Sequence, residues 1–335
     1  MNASTKLHWQ AIGVLVLCAA SQGLGFIIGK ASLLAQVALV PGESSWFIAA
    51  QNLAPRFAVG VILLVAVYGF RVLQLGRTEW LQAGVMASCS IAGCMFQLDG
   101  MQFTTASVAA FITQFFVVLI PIWAALANRR WPRGPVYCSV LLVVLGLGLL
   151  AGVDWRTMQL GRGETEMIIA AVFFSVMLFS INWPGFAANR PDRTTAGMFL
   201  IETLIFVLIA LWTQQGEDSF FVPWHEWSWS LLVLGAAIVG SIGPFILIVR
   251  WQRLVTPTEA GMIYCLGPVF TLGCGVFLPC MLSQWTGVDY PNETITASII
   301  AGGLLILAAN ALTQLWPPRP MRSARDLSAN PNPAQ

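Results

Sequence analysis

Polar side chains that could recognise a solute stand inside long apolar runs of this sequence. Gln114 and Thr113 lie midway along residues 102–127, and Tyr264 lies within 257–283. A glutamine amide both donates and accepts, so Gln114 could bond an amide, a carboxylate or a base edge. The same amide could instead tie two helices together. Asn182 and Trp183 close the run 167–188 just before Pro184-Gly185, an amide beside a large aromatic that suits a partly apolar metabolite or an interfacial anchor. Gln22 sits among Gly23 and Gly25, and Gln97 falls near the end of 79–98. Ser175 and Ser180 are weaker candidates, since a serine can bond its own helix backbone. For coupling or gating the candidates are Glu202, the acid placed well inside an apolar run, and Glu259 with Arg253. Glu259 follows Thr256-Pro257-Thr258, the pattern of a helix start with an acid in its first turn; Arg250 and Arg253 stand close enough in sequence to pair with it. Lys30 and Arg56 are expected at the outer ends of the first two runs, where they attract an anionic solute or reach toward headgroups.

Other chemistries find little support. A lipid enzyme needs paired acids, a histidine cluster or a nucleophile with its base. The two histidines, His8 and His225, are far apart, and none of the seven cysteines forms a CxxC pair. No metal, cofactor or catalytic residue is therefore expected, and no Walker A sequence is present. The expectation is a protein that is not an enzyme.

The elements that must position these residues are set by composition. Of 335 residues, 57% are hydrophobic and 10% charged, against about 45–50% and about 25% in soluble proteins. A helix needs about 20 apolar residues to cross the hydrocarbon core. Ten candidate spans fit, at 9–30, 46–70, 79–98, 102–127, 134–153, 167–188, 197–213, 228–249, 257–283 and 295–315. With a cytoplasmic N-terminus, 13 of the 17 basic residues fall in inner segments: Lys6, Arg71, Arg77, Arg129, Arg130, Arg133, Arg190, Arg193, Arg250, Arg253, Arg319, Arg322 and Arg325. Lys30, Arg56, Arg156 and Arg162 are the other four. This asymmetry predicts both termini inside. The first run continues past Gly25 without a small-residue cleavage site and reads as a retained helix. The net charge of +2 gives no reason to expect a nucleic acid partner. The tail 317–335 reads as a disordered cytoplasmic end.

Five spans precede residue 154 and five follow, and an odd number per half inverts the second half relative to the first. Thr105–Val118 aligns with Thr256–Val269 at an offset of 151, with identities at Thr105/Thr256, Ala109/Ala260, Ile112/Ile263 and Val118/Val269. Thr113 then corresponds to Tyr264. The fourth-run opening Gln102-Phe103-Thr104-Thr105-Ala106-Ser107-Val108-Ala109-Ala110 resembles that of the drug/metabolite transporter superfamily, in its EamA-type ten-helix branch. So do Thr256 to Gly261 with Gly267-Pro268-Val269-Phe270, the Pro55-Arg56-Phe57 opening, the Gly146/Gly148 run and Ala301-Gly302-Gly303. The chain departs from that pattern where Val117 replaces a common proline, with Pro121 four residues later. It departs again where Asn128-Arg129-Arg130 and Leu278-Pro279-Cys280 stand in place of Gly-Glu.

The resemblance implies a cavity lined by the first, third, fourth, sixth, eighth and ninth spans. The expected fold is an all-α polytopic membrane protein with a 5+5 inverted repeat, residues 1–153 and 154–316. The expected function is secondary transport of an amino acid, metabolite or drug-like compound by alternating access, as efflux or exchange across the bacterial inner membrane. A scaffold subunit is the alternative. Besides the solute and the lipid bilayer, a second copy of the chain is a candidate partner, through the glycine-rich fifth and tenth spans.

Overall fold

Residues 3–127, 131, 134–150, 160–181, 183–251, 254–255 and 257–315 are described by a computed structural model. The expected tail lies outside these residues. Every regular element among them is helical. Hydrocarbon offers no partner for backbone N–H and C=O groups, so an apolar chain must satisfy them within each segment.

In order, the helices are α1 (Ala3–Leu39), α2 (Ser45–Tyr68), α3 (Arg77–Phe103), α4 (Ala106–Thr113), α5 (Phe116–Ala127), α6 (Gly134–Leu150), α7 (Arg162–Ile181), α8 (Pro191–Thr213), α9 (Trp227–Gly235), α10 (Gly243–Trp251), α11 (Pro257–Tyr264), α12 (Gly267–Gly275), α13 (Leu278–Thr286) and α14 (Ala297–Leu315). A π-helical turn, Ala236–Ile242, joins α9 to α10. Each of the ten apolar runs is helical, but the runs are not equivalent. Eight helical stretches are long and apolar enough to cross a membrane, α4 and α5 together forming one of them. A ninth is possible if Met262–Gly275 and Leu278–Thr286, bent by 58°, act as one span. The described α6 has 17 residues and falls short of that length.

Two boundaries move the chemistry. α1 continues to Leu39, nine residues past Lys30, and α8 begins at Pro191 rather than near 197. Lys30 and Arg56 are therefore not at helix ends, correcting the expectation that they reach headgroups. Lys30 is 8% exposed, and its Nζ donates to the carbonyls of Met101 at 2.5 Å and of Gln102 and Thr104 at 3.1 Å. Those are the orphan acceptors at the end of α3, and a cation there also meets the negative end of the helix dipole. The next helix is capped by the opposite charge. Glu293 Oε1 accepts from the Ala106 and Ser107 N–H groups at 2.8 and 3.3 Å, at the start of α4.

Helices associate in lipid mainly by close packing, which favours small residues at crossings. α3 packs on α7, α2 on α8, α6 on α14, and α1 on both α9–α10 and α12. At the α6/α14 crossing a Cβ on Gly146 would stand 2.8 Å from the Gly302 carbonyl oxygen, and one on Gly302 would stand 2.7 Å from that of Gly146. The glycine faces expected to pair two protomers are thus used within one chain. α1 meets the π-helical turn more closely still, Gly25 against Gly240. The main core joins Phe47, Leu98, Phe111, Ile112, Val143, Phe206 and Ile306 from six helices.

Candidate functional site

The fourth apolar run breaks between α4 and α5, and the ninth between α11 and α12; the two breaks face each other. In the first, the backbone tightens to i→i−3 bonds: Gln114 N–H to Phe111 O at 3.2 Å, then Phe115 N–H to Ile112 O at 3.0 Å. In the second, Pro268 stands four residues after Tyr264. Proline has no N–H, so the Tyr264 carbonyl loses its intrahelical donor. Gln114 supplies one, its Nε2 donating to Tyr264 O at 3.2 Å. The other end of the same amide, Oε1, is buried without a hydrogen-bond partner among the described residues.

Thr113 and Gln97 join this junction. The Thr113 hydroxyl bonds the Ala109 carbonyl at 2.7 Å and lies 3.7 Å from Met167 Sδ, and Gln97 Nε2 reaches it at 3.4 Å. α1 passes over α12 at Gly23, where an added Cβ would stand 2.8 Å from the Gly267 carbonyl oxygen. Gln22 is the neighbouring residue. Gln114, Thr113 and Gln97 thus come together with the backbone carbonyl of Tyr264, and Gln22 lies at the adjoining crossing. The Tyr264 side chain, whose hydroxyl was the expected contact, packs instead with Leu15, Ala19 and Ile263.

Others do not join them. Trp183 is 44% exposed and packs edge-on to Phe179 at 6.0 Å, away from the junction. Ser175 and Ser180 bond their own helix at Val172 O and Met177 O. Asn182 and Arg253 lie outside the described residues. Glu259 pairs with His8, Oε1 to Nε2 at 3.3 Å, and His8 Nδ1 lies 3.1 Å from the Leu254 carbonyl oxygen. The side chains of Arg250 and Arg253, the expected partners, are outside the description. Glu202 is the twelfth of the 23 residues of α8, so it sits at mid-helix and not a turn from its start. It is fully buried beside Ser90 and Cys94, and neither carboxyl oxygen has a partner at hydrogen-bond distance among the described residues.

A second polar group was not foreseen in the sequence. Ser32, Gln36, Gln51 and Asn52 are all fully buried between α1 and α2. Gln36 Nε2 donates to Gln51 Oε1 at 2.7 Å, Asn52 Nδ2 to Gln36 Oε1 at 3.3 Å, and Gln51 Nε2 to the Phe220 carbonyl at 2.5 Å. Placing the end of the first helix at residue 30 had put Gln36 in a loop. The usable signal was spacing: Ser32/Gln36 and Asn52/Arg56 are i, i+4 pairs that share one helix face. Outside this group, Arg162 holds Asp99 at 2.5 Å and Glu166 at 2.8 Å, and covers the Phe103 ring at 4.1 Å. A recess of about 320 Å³ lies beside Glu293, lined by Thr105, Leu150, Thr296 and Ser298.

Fold and site together define a multi-helix, membrane-spanning protein with polar groups gathered where two helices break. No family model matches the chain. Over 184 residues it is 26% identical to a protein of Archaeoglobus fulgidus named an uncharacterized transporter. That match covers 54% of this chain and 55% of the relative, so it spans about half the length of each. A solved structure, named only as the crystal structure of a protein, is similar with a TM-score of 0.53 at 17% identity. It covers 89% of this chain and 97% of its own, a likeness of fold.

Proposed function

We propose that this chain is a secondary transporter of a small organic solute, belonging to the EamA-type branch of the drug/metabolite transporters. Two five-helix halves, residues 1–153 and 154–316, rearrange about the junction of Gln114 and Tyr264 to expose it to either side of the bacterial inner membrane in turn. The observation that carries the reading is that junction. The two breaks, at 114–115 and 265–266, stand at the same 151-residue offset as the sequence echo, and broken helices with freed backbone groups are how such proteins build sites at membrane depth. The packing supports it as well. Exchanging each apolar run with the one five further on turns the α3–α7 contact into that of the eighth run with α1. The α2–α8 and α6–α14 contacts map onto themselves. The relative's name points the same way. The direction is efflux or exchange, and Glu202, a buried mid-helix carboxyl beside Ser90 and in no ion pair among the described residues, is the candidate proton carrier.

Solute flux in proteoliposomes holding the purified protein tests this, with amino acids and small metabolites offered with and without a pH gradient. Wild-type flux that falls about five- to tenfold in Gln114→Ala supports a central site, since a lost hydrogen bond in a binding step is worth about 1–1.5 kcal/mol. Dependence on the gradient that disappears in Glu202→Gln supports proton coupling. Folded protein that moves no solute would favour a scaffold subunit.

A further inference from the structure

Arg56 is the twelfth of the 24 residues of α2, about 17 Å along the helix from either end. It is 7% exposed. A guanidinium does not give up its proton at any physiological pH, so this residue carries its charge at mid-helix depth. Its partners are neutral. Nη2 donates to Asn52 Oδ1 at 2.5 Å and to Ser32 Oγ at 3.3 Å, and the Nε–H has no acceptor among the described residues. No ion pair joins Arg56 to a carboxylate among those residues.

The other charged groups do not neutralise it. Lys30, next to Gly29, whose added Cβ would stand 3.4 Å from Arg56 Nη2, is spent on the α3 carbonyls. Glu202, on α8, forms no ion pair with Arg56 among the described residues. A buried charge left without a counter-charge is costly, and an open donor on its fork is where one would bind.

We infer that Arg56 is the anchor for a carboxylate on the transported solute, which accepts from the free Nε–H while Asn52 and Ser32 hold Nη2 in place. This rests on the transporter reading and names its substrate class: small organic monocarboxylates. A single anionic charge matches a single uncompensated guanidinium, whereas a phosphate dianion would leave one negative charge unbalanced at the same depth. The anchor is continuous with the Gln114 junction. On α3, Cys94, Gln97 and Met101 recur at helical spacing on one side. Met101 Cε and the Arg56 guanidinium both border Gly29, and Gln97 meets Thr113. A carboxylate on Arg56 would leave the rest of the solute to extend toward the unpaired Gln114 oxygen.

Binding measured without transport tests the anchor. The full-length protein in detergent would be titrated with phenylacetate and hexanoate, their neutral amides, and phenyl phosphate, following the thermal unfolding midpoint. The expected result is a rise with the carboxylates and none with the amides. Arg56→Lys keeps the charge but loses the fork, and should weaken apparent affinity about tenfold. Arg56→Gln should abolish the response, and if that variant does not fold, Arg56→Lys decides. Equal response to acids and amides, unchanged affinity in the folded variants, preference for phenyl phosphate, or no response to either carboxylate would each overturn the proposal. Carboxylates that bind through Arg56 but are not moved in proteoliposomes would keep the anchor and sink the transporter reading. Flux of a solute that survives Arg56→Gln would do the reverse.

Discussion

A proline decides what Gln114 does for the fold. Pro268 deprives the Tyr264 carbonyl of its helical donor, and Gln114 replaces that donor from another helix. Two roles are thereby open to one side chain: Nε2 completes the backbone, and Oε1 has no partner among the described residues, as the proposed ligand site requires. The roles separate in a double-mutant cycle. Gln114→Ala alone orphans a buried carbonyl and should destabilise by about 1–2 kcal/mol. Pro268→Ala restores an N–H at position 268, so in that background the same substitution should cost much less, giving a coupling of about 1 kcal/mol. Flux should stay low in both Gln114→Ala proteins, because no restored backbone bond replaces the free oxygen. Unfolding midpoints of the four proteins in detergent, beside their flux, read both effects; additive midpoints would mean that the two residues are independent. Gln114, Thr113, Gln97 and Tyr264 could be picked out from the sequence because an amide or hydroxyl in an apolar run is costly without a purpose. Lys30 and Arg56 were misplaced for a related reason. A charge looks like the end of a run, and nothing local shows that three carbonyls of α3 await an ammonium.

At the scale of elements, the ten runs could be read because hydrocarbon thickness fixes their length, but their interruptions could not. A break leaves hydropathy unchanged, and the cues are single residues such as Pro268 and Pro279 that helices also tolerate at their first turn. The π-helical turn carries no local signal except Gly240, whose reason lies on α1, more than 200 residues earlier in the chain. Gly25 and Gly240 bring the two backbones together at a point where any Cβ must displace a Cα. Gly25→Ala should therefore destabilise the protein by several kcal/mol, as overpacking that moves two helices. Gly13, on the same helix with open space around its Cα, is the internal control. Gly13→Ala should be neutral or stabilise by about 0.5–1 kcal/mol through helix propensity. Thermal unfolding of the two variants in detergent distinguishes them, and similar midpoints would show that the α1 crossing is not a constraint.

For the whole molecule, the charge pattern makes a claim about sides that helix packing alone does not. Of the four basic residues assigned outside, Lys30 and Arg56 are inside the helix bundle, which sharpens the asymmetry because neither is a loop charge. The loop after α2 carries Arg71 and the turn before α8 carries Arg190, and both belong to the predicted inner face. The segment from 214 to 226, between α8 and α9, holds Glu217, Asp218 and Glu226 and belongs to the predicted outer face. Positive charge resists translocation across the membrane, so this arrangement predicts a chain with its N-terminus inside. Single cysteines at Arg71→Cys and Glu217→Cys, in a background with the seven native cysteines replaced by alanine or serine, make the claim measurable in whole cells. A membrane-impermeant maleimide should label the cysteine at 217 in intact cells and the one at 71 only after permeabilisation. The reverse pattern would invert the protein and place Lys30 and Glu293, which cap the α3–α4 connection, at the inner mouth. Labelling of both in intact cells would mean that an even number of crossings separates them, contradicting the five apolar runs, the third to the seventh, that lie between. The expected pattern puts that connection, with Lys30 and Glu293 on it, at the outer mouth.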